Sequence, residues 1–292
     1  MHTNNPRGIA YMIAAMALFV SNDALMKVAS QSMPPPQAIF VRGLIVTVLL
    51  MALAVVQGQL RHWRKLADRH VLRRTVLEGF GSYGYLFALA HLPLAIALAM
   101  NMAVPLVVLP LAVVLLAEKV GWRRWSALIV GFIGVLLILK PGPQGVDLWA
   151  VLALVSTFAH AMRDVVTRSI PLAIPSVLVT TLSAGVLTVG SGILVLLTGW
   201  QPMDSAGLVS VTAASLVVTG AMYVLVVSTR IGEASVITGF RYTAMVWGIA
   251  LGYGIWGYLP DASGWAGMAL IVGAGLYAAH RERLRRAVTE AA

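Results

Sequence analysis

The chain has no cysteine in its 292 residues, which excludes disulfides, thiolate metal sites and cysteine nucleophiles, and leaves the redox compartment unreadable. Charge is scarce as well, at 11% of residues against about 25% in a soluble domain. The signatures of a membrane-embedded enzyme are missing: there is no His-Glu-x-x-His and no Gly-x-x-x-x-Gly-Lys-[Ser/Thr], and Gly79, Gly81 and Gly84 fall inside one helix. His160 has no second histidine at ligand spacing, so neither a metal nor a cofactor is expected. A channel would show rings of like charge or carbonyl filter loops, and no such repeat occurs. What is abundant is apolar surface, at 59% of residues where soluble chains have roughly 45–50%.

That surface is arranged in long runs. A bilayer-crossing helix needs about 20 mostly apolar residues, because lipid satisfies no backbone N–H or C=O. Ten stretches qualify: 8–28, 37–57, 71–90, 95–116, 124–139, 148–167, 176–197, 207–228, 234–256 and 264–280. Proline- and glycine-rich separators punctuate them, among them Pro34-Pro35-Pro36, Pro141-Gly142-Pro143 and Gly199 to Pro202. Short separators make consecutive helices antiparallel and leave no room for an extramembrane domain. The first run also invites reading as a secretory signal, since Arg7 precedes it and Val28-Ala29-Ser30 resembles a cleavage site. Its length and its polar Asn22, Asp23 and Lys27 suit a functional helix better.

The net charge of +10 sits between the apolar runs rather than along a solvated face, which points to topology and not to nucleic acid. With the N-terminus inside, sixteen Lys and Arg lie on the cytoplasmic side, and at most Lys27 and Lys140 lie opposite. Both termini are therefore expected in the cytoplasm of a cell whose inner membrane holds the chain.

The two halves, 1–143 and 144–292, align weakly at a near-constant shift. Asn22-Asp23 faces Arg163-Asp164 at 141 residues, Pro36 faces Pro175 at 139, Trp125 faces Trp265 at 140 and Gly134 faces Gly273 at 139. Five helices per half, an odd number, would make the repeats inverted, an arrangement that places a binding site at their interface near the midplane. One chain then supplies both orientations, and a functional monomer is expected, with lipid and a small-molecule substrate as its partners.

Three features resemble the EamA type of the drug/metabolite transporter superfamily: Val41-Arg42-Gly43-Leu44, the run from Phe87 through Pro105 to Ala117-Glu118-Lys119, and the glycine-rich segment from Gly131 to Gly134. In the second half Thr181 stands where the repeat would put Arg42, and Gly257 where it would put Glu118. The resemblance implies an all-α, ten-helix exporter of small metabolites working by alternating access. Aromatic or neutral amino acids are the favoured substrates, with drugs or purines and nucleosides as the alternative, and no enzymatic activity is expected.

Polar groups within the span mark candidate sites, because they face a cavity or a partner. Glu78, Ser82 and Tyr85 share one helical face, as do Ser156, His160 and Asp164, and Thr238, Tyr242 and Met245. Substrate contact is assigned to Tyr83, Asn101, His160, Arg241, Tyr242 and Trp247. Arg241 is to meet a carboxylate, and Glu78 and His160 are the candidates for proton coupling, with uniport as the rival. Asp23 with Lys27, and Asp164 with Arg168, read as structural i, i+4 pairs. Arg42 and Arg241 have no carboxylate one turn away, so each needs an anion, carbonyls or water, and a substrate carboxylate is one candidate for both. Ala127/Gly131 and Ala269/Gly273 read as close-packing helix faces.

Overall fold

The computed structural model describes residues 4–116, 121–140, 147–171 and 173–290, and every regular element among them is helical. In order these are α1 (Asn5–Ser32), α2 (Pro35–Val56), a 3-10 helix (Gln59–Ala67), α3 (Arg69–His91), α4 (Leu94–Asn101), α5 (Val104–Leu116) and α6 (Trp122–Leu139). After these come α7 (Leu148–Thr167), α8 (Ser176–Thr198), α9 (Ser205–Ile231), α10 (Ala234–Ile237), a second 3-10 helix (Thr238–Tyr242), α11 (Thr243–Trp256) and α12 (Ala262–Glu290). The separator Pro141-Gly142-Pro143 and the segment with Glu118 lie outside the described residues.

Local chemistry explains the helix starts. Asp68, Asp147 and Asp204 cap α3, α7 and α9 by accepting backbone N–H groups of His70, Trp149 and Gly207, each at 2.8 Å. Prolines open α2, α4 and α8, where a missing N–H costs nothing. Gly257 ends α11 at φ +66°, a left-handed turn that glycine adopts without strain; its departure from the first-half pattern thus has a local cause.

Seven helical stretches among the described residues are long and apolar enough to cross a membrane, counting 94–115 as one, and Trp125–Leu139 is a shorter apolar helix. The chain is a multi-pass membrane protein. The other two expected spans differ in kind. α3 carries Arg69, Arg73, Arg74 and Glu78, and the expected run 234–256 is broken by the 3-10 segment Thr238–Tyr242. The run 95–116 is likewise interrupted at Met102–Ala103, just before Pro105. There Thr157 on α7 donates its hydroxyl to the Met100 carbonyl at 3.0 Å, answering an acceptor that the break exposes.

The most extensive helix contacts pair α1 with α9, α3 with α7, α2 with α8 and α6 with α12, and α4 packs on α11. α1 is integral to this core: Met12, Ala15, Val20 and Ala24 are buried along it. The closest backbone approach of α6 and α12 lies at Gly134 and Gly267. A Cβ on either would sit 2.7 or 2.6 Å from the other's carbonyl oxygen, so only glycine fits. This corrects the expected pairing of faces. Gly131 meets Leu106 and Ala274, whereas Gly273 borders open space.

Candidate functional site

A cavity of about 2130 Å³ runs into the bundle between helices of both halves. Its mouth is edged by Gln57, Arg168, Arg230 and Ala278, near the ends of α2, α7, α9 and the apolar part of α12. Those ends share one side: Asn4 N–H reaches Ile231 C=O at 2.8 Å, and Lys65 reaches Ala173 C=O at 3.4 Å. The opposite end is shut. There Lys27 donates to the carbonyls of Leu89, Ala90 and Leu92 at 3.0, 3.3 and 2.7 Å, closing α1 onto the end of α3. Gln37 exchanges two hydrogen bonds with the Gln201 backbone, at 2.8 and 3.0 Å. His91 stacks on Trp149 with ring centroids 3.6 Å apart.

Two polar clusters face the cavity. The first joins α1, α2 and α3: Tyr85 donates to Asp23 Oδ2 at 2.7 Å, Asn22 Nδ2 donates to Asp23 Oδ1 at 2.9 Å, and Arg42 Nε donates to Asn22 Oδ1 at 3.2 Å. The second joins α3, α7 and α8. Arg163 bonds Glu78 at 2.9 Å and Asp164 at 2.7 Å, and Arg74 lies 3.5 Å from Glu78 and donates to Ser183 at 2.8 Å. Ser82 completes Glu78 at 3.1 Å.

These contacts correct several expectations. Asp23 and Lys27 do not bridge, because Lys27 reaches backbone carbonyls across to α3 while Asp23 turns to Tyr85. Asp164 pairs with its neighbour Arg163. Glu78 has two basic neighbours, and Arg42 faces α1, where an asparagine and an aspartate answer it from a helix other than its own.

The residues singled out from sequence scatter. Asn101, Arg241 and Tyr242 line the cavity, as do Glu78, Ser82 and Tyr85. His160 lies behind Asn101, its Nδ1 3.1 Å from the amide oxygen, and its buried Nε2 has no hydrogen-bond partner among the described residues. The Tyr242 hydroxyl is also buried without one, pressed against Gly275. Tyr83 donates to the Leu187 carbonyl at 2.7 Å and is absent from the lining, so it ties α3 to α8. Trp247 is 38% exposed and also stands off the cavity. Sequence reasoning assigned no site role to Asn22, Asp23 or Arg163. The usable signal was the weak alignment of the two halves, which sets Asn22-Asp23 against Arg163-Asp164.

Both helix interruptions reach the cavity, through Asn101, Met102 and Pro105 in one case and Thr238, Arg241 and Tyr242 in the other. Broken helices in carriers occur where backbone lines a cavity rather than lipid. The arrangement can hold a polar solute deep in an apolar bundle, with opposite charges on its walls.

Comparison with known proteins agrees with this geometry. The model of the EamA-like transporter family matches residues 6–140. The S-adenosylmethionine uptake transporter of Rickettsia prowazekii is 24% identical over 276 residues, covering 94% of this chain and 93% of its own. The riboflavin transporter of Rhizobium johnstonii is 29% identical over 217 residues, 74% of this chain and 72% of its own, and that of Vibrio cholerae is 25% identical over 91% and 90%. A solved crystal structure superposes with a TM-score of 0.63 at 18% identity, over 94% of this chain and 97% of its own, a likeness of fold. The chain is thus similar over residues 6–140 to the EamA-like transporter family, and along most of its length to bacterial transporters.

Proposed function

We propose that this membrane transporter carries a heteroaromatic metabolite of nucleoside or flavin size across the bacterial inner membrane by alternating access, as a monomer. The observation that carries this reading is the cavity, open at one end, closed at the other and walled by both halves. Its volume of about 2130 Å³ exceeds the roughly 300–1,000 Å³ of a drug-sized pocket. A larger solute than an aromatic or neutral amino acid therefore suits it, and the relatives named for S-adenosylmethionine and riboflavin support the same change. The name of the S-adenosylmethionine relative also favours uptake over the export expected from sequence.

Ten passes in two inverted five-helix repeats, 1–143 and 144–292, fit the packing. Exchanging first-half helices for their second-half counterparts turns the α1–α9 contact into α7–α3, and leaves α2–α8 and α6–α12 each mapped onto itself. All of these are among the observed contacts. The two interruptions also correspond, Asn101 and Arg241 standing 140 residues apart. With both termini cytoplasmic, the mouth faces the cytoplasm, and Lys27 with Gln37 holds the periplasmic end closed. Asn101, His160, Arg241 and Tyr242 remain proposed solute contacts. Glu78, clasped by two arginines, suits a structural role better than proton coupling, so we favour uniport.

Uptake into proteoliposomes tests the reading with labelled S-adenosylmethionine, riboflavin and phenylalanine. Saturable uptake of one of the first two, unaltered when the pH gradient is collapsed, is the expected result. Transport of phenylalanine alone would return the assignment to amino acids, and loss of uptake without the pH gradient would reject uniport.

A further inference from the structure

We propose that Arg42 and Asp23, held apart by Asn22 at the closed end of the cavity, form a receptor for a zwitterionic head group. The metabolite would then bear an ammonium and a carboxylate beside its ring system. This rests on the carrier reading above and narrows its substrate class.

Each member of the cluster is fixed by its neighbours. The Asn22 amide is 3% exposed, with its oxygen on Arg42 and its nitrogen on Asp23. Flipping it would set donor against donor and acceptor against acceptor, so its orientation is determined by the two charges. Tyr85, 7% exposed, fixes the other Asp23 oxygen. The guanidinium and the carboxylate are thereby spaced by one amide instead of collapsing into contact. Among the described residues no ion pair joins them within 4.0 Å, although every other cavity-facing acid on α3 and α7 has one.

Two opposite charges withdrawn from bulk water and left apart are costly unless something completes them. Arg42 donates only through Nε, and its terminal nitrogens make no hydrogen bond to described residues. They present the fork that a carboxylate accepts in a bidentate manner. Asp23 keeps lone pairs beyond the two donors it already has. One zwitterion, carboxylate toward Arg42 and ammonium toward Asp23, answers both charges in a single pose. A neutral polyol chain answers neither as well. The second cluster offers no such opening, since Arg163 already lies between its two acids. Phe19 and Tyr223 line the cavity and give apolar surface for rings.

Equilibrium binding to the full chain in nanodiscs tests this with four probes: S-adenosylmethionine, its decarboxylated analogue, 5′-methylthioadenosine and riboflavin, with free methionine as a fifth competitor. Arg42→Gln should weaken S-adenosylmethionine by roughly 10- to 150-fold, the range for a charge-assisted bond, and leave the decarboxylated analogue nearly unchanged. Arg42→Lys should recover part of the loss. Asp23→Asn should weaken both ammonium-bearing probes and spare 5′-methylthioadenosine. The analogue serves as an internal check on folding, because a misfolded variant loses both ligands. Equal losses of S-adenosylmethionine and its analogue in a monodisperse Arg42→Gln protein overturn the proposal. So does wild-type binding of riboflavin without S-adenosylmethionine, which leaves the carrier reading intact. Arg42-dependent binding of methionine with none of the heteroaromatic probes keeps the receptor and rejects the carrier reading. Binding of no probe rejects both.

Discussion

Two clusters on one cavity, joined through Tyr85 and Glu78 of α3, solve the problem of buried charge differently. Around Arg163 the charges touch: Glu78 and Asp164 share one guanidinium, and Arg74 closes the group. Around Asn22 they are kept apart, with a neutral amide and a phenol occupying the positions that a counter-ion would take. Ion pairs that satisfy one another hold helices together, whereas charges answered only by neutral donors and acceptors keep capacity for a solute. The comparison thus separates a structural clasp joining α3 to α7 from a receptive surface on α1 and α2.

The largest effect that would sharpen this contrast is on stability. Arg163→Met removes the partner of the half-exposed Asp164 and one of the two arginines on Glu78, and should destabilise the protein by about 1–3 kcal/mol, the cost of leaving a part-buried acceptor unsatisfied. Thermal unfolding in detergent should show it, with partial recovery in the Arg163→Met/Glu78→Gln double variant. Arg42→Gln should lower the unfolding temperature much less. If Arg42→Gln proves as damaging, the two clusters are alike and the contrast fails.

Next in size is the choice between two arginines for a carboxylate. Both arginines stood out in the sequence and Arg241 was the one assigned to substrate, but it is exposed on the cavity wall at the second helix interruption, while Arg42 faces Asn22 with its terminal nitrogens unbonded to described residues. Arg42→Gln should reduce S-adenosylmethionine affinity at least tenfold, and Arg241→Ala no more than about threefold, since a solvated charge contributes about 0–1 kcal/mol. Reversed magnitudes in a binding titration would return the role to Arg241.

A smaller change tests the phenol. Tyr85→Phe removes one donor from Asp23 but leaves Asn22 in place, so affinity for an ammonium-bearing probe should change by about 1 kcal/mol, near fivefold. The unfolding temperature should move less than in Arg163→Met. A collapse comparable with Arg163→Met would make Tyr85 part of a clasp instead.

The smallest effect belongs to the exposed pair of Lys140 and Asp261, at the closed end. Lys140, with help from the Gly264 N–H, holds the Asp261 carboxyl below the ordinary carboxylate range. A depressed carboxyl contributes stability that is present above its unfolded pKa, about 3.9, and is lost as pH falls through its folded value. Lys140→Met should therefore cause a small loss of stability at pH 6 to 8 that disappears in acid, and raise the Asp261 pKa toward about 3.9, read by carboxyl NMR. High salt should remove the difference. A large loss at neutral pH would show that this pair, and not Lys27, is the principal latch.

Much of the fold was legible in the chain because lipid imposes a simple demand. Every crossing segment must bond its own backbone, and so announces itself as a long apolar run between breakers. The run 148–167 coincides with α7. Boundaries failed where polar residues continue a helix past the lipid, as in α12, which reaches Glu290. The interruptions failed for another reason. The runs 95–116 and 234–256 are apolar overall despite Asn101 and Arg241, and whether backbone can leave the helix there depends on what packs opposite, such as the Thr157 hydroxyl that answers Met100.

The sequence alone determined the solvent, through its apolar fraction; the loops and caps, through Pro, Gly and Asp; and a family resemblance, through motifs around Arg42 and the fourth and fifth expected spans. It also marked Arg42 as a charge with nothing on its own helix to answer it. Only the tertiary structure decided which acid meets which base. Lys27 passes over Asp23 to reach carbonyls at the end of α3, 62 to 65 residues away, and Glu78 meets Arg163 at a separation of 85. Periodicity fixes which residues share a helical face, but the partner of that face is set by how the helices pack. A strong interaction between buried charges depends on ångström-scale distance across a helix interface, which no spacing along one chain encodes.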